Sequence, residues 1–125
     1  MQKFLFIITS LNIVFLILHE MDAVRHGEWK MFKLNKKIPE EIQYQLFLWL
    51  HFPLLLLIIF YAYSVFSFEY LVIWLIMNIF SVIHLILHII FFKSRKNVFK
   101  NKSSFVLIVG IALTGLINLM VMKYY

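Results

Sequence analysis

Four long runs of apolar side chains, approximately residues 4–23, 42–63, 70–92 and 104–122, alternate with short stretches that collect nearly all of the charge. A hydrocarbon core about 30 Å thick is crossed by roughly 20 helical residues, and each run has about that length. The pattern therefore predicts an all-α fold, an integral membrane four-helix bundle forming a single domain over residues 1–125. The connections between the runs leave no room for a separate soluble domain.

The polar residues inside the runs fall in phase. Asn12, His19, Asp22 and His26 are spaced seven, three and four residues apart, which places them on one stripe of the first helix, with Glu20 about a quarter-turn away. Asn78, Ser81, His84 and His88 form a second stripe on the third helix. There the sequence HLILH sets two imidazoles at the i, i+4 spacing that lets them share one ligand. His51 lies two residues before Pro53, whose ring removes an amide donor and frees the carbonyl of Trp49. On the fourth helix Gly110, Thr114 and Asn118 make a small, polar face suited to close helix packing. Pro39 followed by Glu40 and Glu41 reads as a helix start with acidic residues at its positive end.

Composition removes several alternatives. The chain is 63% hydrophobic and 14% charged, far from a soluble average. It has no cysteine, so disulfides and thiolate ligands are excluded and any metal must be held by His, Asp or Glu. Lys3 precedes an apolar stretch that could pass for a signal peptide, but Met21 and a crowd of charged residues stand where the small residues of a cleavage site belong. The first run is therefore expected to be a retained helix. Nucleic acid is not expected as a partner of the +6 net charge, because the basic residues sit between apolar helices, where anionic lipid headgroups are nearer.

Loop charge predicts the orientation. Arg25, Lys30, Lys33, Lys36 and Lys37 follow the first run, and Lys93, Arg95, Lys96, Lys100 and Lys102 follow the third, so ten of twelve basic residues share one side. The positive-inside rule puts that side in the cytoplasm and both termini outside. All five histidines then lie in the inner half of the bilayer or at its edge. At 1.5 Å per residue, His88 is about 6 Å and His84 about 12 Å in from the basic end of their helix, and His51 is roughly 13 Å in from the start of its own.

An ionisable side chain at membrane depth costs about 2.5 to 3.5 kcal/mol on insertion scales, so several together call for an explanation. One reading is a metal-dependent hydrolase acting at the cytoplasmic leaflet. Its ligands to zinc or another divalent transition metal would be His84 and His88 with one of His19, Asp22 or His51. Glu20 or Asp22 would orient a ligand or move a proton, Ser81 would serve as nucleophile or oxyanion donor, and the substrate would be a lipid or acyl compound. A second reading places a b-type haem between His51 and His88. In a third the chain is a non-enzymatic membrane subunit that binds a partner and uses its polar stripes for packing.

The stretch LHEMDAVRHGEWKMF from Leu18 to Phe32, with HFP at residues 51–53 and HLILH at residues 84–88, resembles a family of small uncharacterised bacterial membrane proteins known as a domain of unknown function. The resemblance covers nearly the whole chain and implies a multi-pass protein of the cell (inner) membrane of a bacterium. Its most specific element is His19-Glu20-x-Asp22-Ala23 followed by Glu28-Trp29, and it implies no particular activity. A looser similarity is to the seven-helix intramembrane hydrolases that include alkaline ceramidases and adiponectin-receptor-like proteins. In those an HxxxH pair near the C-terminus joins a third His around zinc, with Asp and Ser nearby. His84 and His88 match the pair, while His19, Asp22 and Ser81 match residue types, and here the pair lies in the penultimate of four helices.

Overall fold

The structure, a computed structural model, describes residues 2–30, 38–64, 71–92 and 101–122. Four helices account for almost all of them: α1 (Gln2–His26), α2 (Glu40–Ser64), α3 (Leu71–Phe92) and α4 (Lys102–Met122), with one 3-10 turn at Glu28–Lys30. All four are long and apolar enough to cross a membrane.

Local chemistry sets the helix ends. α1 continues nearly a turn past its apolar run, because charge alone does not break a helix, and stops at Gly27, whose φ of 67° is left-handed and open to glycine at little cost. The Gly27 N–H donates to the Val24 carbonyl and the Lys30 N–H to the Gly27 carbonyl, which tightens the chain into the 3-10 turn. α2 starts behind Pro39, where the Gln43 side-chain amide donates to the Ile38 carbonyl at 2.7 Å, and it runs through Pro53 without a break. α4 is capped by Asn101, whose Oδ1 accepts the Ser104 N–H at 2.6 Å.

Side-chain registers define the topology. Asn12 meets Thr114 and Asp22 meets Ser104, so α1 and α4 are antiparallel. Asn12 also meets Ser81 and His19 meets His84, so α1 and α3 are parallel. The closest neighbours are α3 with α4 and α1 with α4, while α2 packs on α3 and only lightly on α1. α1 and α3 thus face each other across a diagonal, and their interior side chains meet in the middle. One end of the bundle gathers His19, His26, His51, His84 and His88.

The bundle buries polar side chains among apolar ones and exposes an apolar surface. Thr9, Asn12, His19, Asn78, Ser81, Ser104 and Asn118 are fully buried, whereas Trp49, Leu50, Val72 and Ile90 are each more than 65% exposed. A water-soluble bundle has the opposite arrangement. Far from the histidines, Tyr61 Oη donates to Asn78 Oδ1 at 2.9 Å, and Asn118 Nδ2 donates to the same oxygen at 2.9 Å, joining α2, α3 and α4. Trp74 Nε1 donates to Thr9 Oγ1 and adds α1. One layer on, Asn12 Nδ2 donates to the Ile111 carbonyl and to Thr114 Oγ1, each at 2.8 Å. Leu16, Ile58, Met77 and Ile111 pack with Tyr61 and Trp74 in one apolar cluster. At Gly115 the α3 and α4 backbones come so close that a Cβ would lie 2.7 Å from Ser81 Cβ.

Candidate metal centre

His84 and His88 project from consecutive turns of α3, and His19 reaches them from α1 across the diagonal. His84 Nε2 lies 2.9 Å from His19 Nε2 and 2.9 Å from His88 Nε2. One nitrogen from each of the three rings falls within a 4.8 Å span, the only such His/Cys/Asp/Glu group among the described residues. The rings of His84 and His88 stand nearly perpendicular to that of His19, at 89° and 87°. His19 is fully buried and the other two are half-buried, with Phe80 against the His84 ring.

The valence of these nitrogens decides what the cluster can hold. In its ring plane a neutral imidazole Nε2 carries either one hydrogen or one lone pair. His84 Nε2 can therefore make only one linear hydrogen bond at a time, and its contacts with His19 and His88 must share one hydrogen or one lone pair. A cation at a common point would instead take one lone pair from each ring. With Zn–N bonds of about 2.0 to 2.1 Å, tetrahedral ligands stand about 3.3 Å apart, a spacing that the two 2.9 Å contacts of His84 approach. The three residues fit a divalent transition metal with one coordination position left for another ligand.

The remaining candidates stand around this trio in pairs. Glu20 Oε2 lies 2.8 Å from His51 Nε2, so α1 and α2 are joined beside the centre. His51 Nδ1 also approaches the Phe47 carbonyl at 2.6 Å, and its ring stacks on Phe47. Glu20 and His84 are near enough to interact electrostatically, as are His51 and His19. Asp22 turns towards α4, where it accepts the Ser104 hydroxyl proton and lies 3.1 Å from His26 Nδ1. His26 Nε2 in turn accepts from the Asn101 side chain, so one tautomer serves both contacts. Ser81 Oγ donates to the Met77 carbonyl at 2.8 Å and is 3.3 Å from Asn12 Oδ1. Of the five residues expected as ligands, His19, His84 and His88 come together, while Asp22 and His51 are engaged elsewhere. A haem held by His51 and His88 would have to draw the first from Glu20 and the second from the trio.

Two residues near the site escaped the sequence reading. Asn101 caps α4 and Ser104 sits in its first turn, and only the antiparallel register of α1 and α4 brings them to His26 and Asp22. Glu28, which the sequence offered only as part of the Glu28-Trp29 element, lies in the 3-10 turn. Burial pushes its carboxyl up from 4.5 to about 7, with the negative charge of Glu20 adding to the effect and His51 opposing it. Beside it Trp29 packs on Tyr44 and Phe47, and Lys30 pairs with Glu40 at 2.6 Å, which fastens the end of α1 to the start of α2.

The raised pKa of Glu28 has a sign. Below about pH 4.5 the carboxyl is neutral in both folded and unfolded chains and folding carries no penalty. As pH rises from 4.5 to 7 the unfolded chain ionises first, so stability falls through that window, by at most about 3 kcal/mol. Glu28→Gln is expected to remove this fall. Thermal midpoints of both proteins between pH 4 and 8 check it, and parallel curves would refute the assignment.

Searches of curated proteins and of solved structures returned no match. The family model that does match spans residues 5–125 and so includes every side chain of the site. On that coverage the chain belongs to the family of unknown function DUF6713.

Proposed function

We propose that this is a multi-pass protein of the bacterial inner membrane that holds a divalent transition metal, zinc foremost, on His19, His84 and His88 and uses it for hydrolysis at the cytoplasmic leaflet. The observation that carries the reading is the convergence of one ring nitrogen from each of His19, His84 and His88 within 4.8 Å, with His84 Nε2 2.9 Å from both of the others. Three protein ligands and one open position are the pattern of catalytic rather than structural zinc, and an ion so held lowers the pKa of water towards 7. Glu20, next to His19 in the chain and fixed by His51, is the carboxylate placed to take up a proton. Asp22 braces α1 against α4, and Ser81 spaces α1 from α3. The substrate is a lipid or acyl compound, reached from the apolar surroundings of the half-buried His84 and His88. Loop charge supports a cytoplasmic histidine end and outer termini, and a C-terminal reporter found in the cytoplasm would overturn that orientation.

The test is elemental analysis of detergent-purified protein, followed by an assay of fatty-acid release from ester- and amide-linked lipids in mixed micelles. Close to one metal per chain is expected, and the His84→Ala, His88→Ala double variant should lose both metal and release. Folded wild-type protein that takes up no metal would sink the proposal. A metal-loaded protein without release would leave the centre standing and remove hydrolysis. The second reading, a non-enzymatic membrane subunit, is favoured at the other end of the bundle. There Tyr61, Asn78 and Asn118 bond one another across three helices. It expects the same fold with no metal.

A further inference from the structure

Between α1 and the first turns of α4 lies an open groove of about 690 Å3 on the outer surface of the bundle, away from the three histidines. Leu18, Met21 and Arg25 line one side, spaced three and four residues apart on a single stripe of α1. Lys102 and Val106, four apart, with Leu107 beside them, line the other. Both stripes run from a basic residue at the end of the bundle to apolar residues nearer its middle. The two walls thus share one polarity gradient along the groove.

The cations at the mouth are uncommitted. Among the described residues no ion pair joins Arg25 or Lys102 to an acidic side chain, in contrast to Lys30, which holds Glu40. Asp22 also lines the groove, but its carboxylate is engaged by Ser104 and His26. Ser103 adds a hydroxyl at the same level. Two cations without an acidic partner among the described residues, and a hydroxyl, over an apolar trough match a molecule with an anionic head and a hydrocarbon tail. Free phosphate would leave the trough empty, and a zwitterionic head would bring its own cation against Arg25 and Lys102.

We infer that this groove binds one anionic phospholipid, its phosphate between Arg25 and Lys102 and an acyl chain along Leu18, Met21, Val106 and Leu107. The site is separate from the metal centre, since neither His19, His84 nor His88 lines it. Native mass spectrometry of the full chain, released from detergent micelles with phosphatidylglycerol or with phosphatidylcholine of the same acyl composition, tests it. One retained phosphatidylglycerol per chain is expected, preferred roughly thirtyfold, the scale of two basic side chains near a lipid surface. Arg25→Gln with Lys102→Gln should abolish the preference. Val106→Trp, which keeps both charges and fills the trough at an exposed position, should abolish retention. Inorganic phosphate should not compete. Equal retention of the two lipids, a double variant that behaves as wild type, or retention unchanged by Val106→Trp would each overturn the inference. Metal content measured in the same samples should not change.

Discussion

Zinc added to metal-stripped protein is expected to raise the thermal unfolding midpoint by on the order of 10 °C, and a chelator to reverse the rise. A ligand that binds the folded state alone stabilises it by RT ln(1 + [L]/Kd), about 4 kcal/mol at a thousandfold excess over Kd. For a chain of this size each kcal/mol moves the midpoint by roughly 3 to 4 °C. The response should be large because the ligands come from two helices that touch mainly through side chains, so the ion would add a link where backbone packing is sparse. His84→Ala removes the nitrogen common to both 2.9 Å contacts and should leave the midpoint indifferent to zinc. Asp22→Asn, at a residue outside the trio, should keep the response. A wild-type midpoint that zinc does not move would overturn the ligand assignment, as would a His84→Ala protein that still responds.

The second large effect is expected at Gly115. Its added Cβ would stand 2.7 Å from Ser81 Cβ and 3.1 Å from the Asn78 carbonyl oxygen, one of them backbone and neither the end of a flexible side chain. Gly115→Ala therefore separates α3 from α4, at the 1 to 3 kcal/mol typical of overpacking, and Gly115→Leu should exceed that range. The separation strikes the same interface that carries the bond from Asn118 to Asn78. Gly110 is the control. Its Cβ would meet the ring of Phe15 at 3.0 Å, a half-buried side chain with room to tilt, so Gly110→Ala should cost less. Ser81→Gly removes the opposing Cβ and should recover part of the loss in Gly115→Ala. Equal stability of the two alanine variants in chemical or thermal unfolding would show that the α3–α4 approach is less tight than described.

The helices were legible because apolar length at 1.5 Å per residue is a one-dimensional property. The His84/His88 pair was legible for a related reason, since i, i+4 spacing needs knowledge of one helix only. What could not be read was the choice of a third partner among His19, Asp22 and His51. That choice depends on how far one helix slides along another, which no spacing within a helix encodes. Asp22 has its place because Ser104 stands opposite it in the antiparallel register of α1 and α4. His51 is held by Glu20, the residue whose quarter-turn offset seemed to take it away from the polar stripe. That offset points it at α2. Glu28 was legible as part of the Glu28-Trp29 element but its burial was not, since that depends on the packing of Trp29 on Tyr44 and Phe47 over the turn.

The diagonal pairing of α1 and α3 also bears on biosynthesis. During translation the first histidine leaves the ribosome 65 residues before the second and 69 before the third, with all of α2 in between. The ligand set therefore cannot close on a nascent chain until three helices have been made. Asp22 of α1 then waits a further stretch for Ser104, and Asn12 waits longer still for Thr114. Under the proposed metal binding, capture would be a late event that reports a correctly threaded bundle, and a misordered chain would present two adjacent histidines without the third.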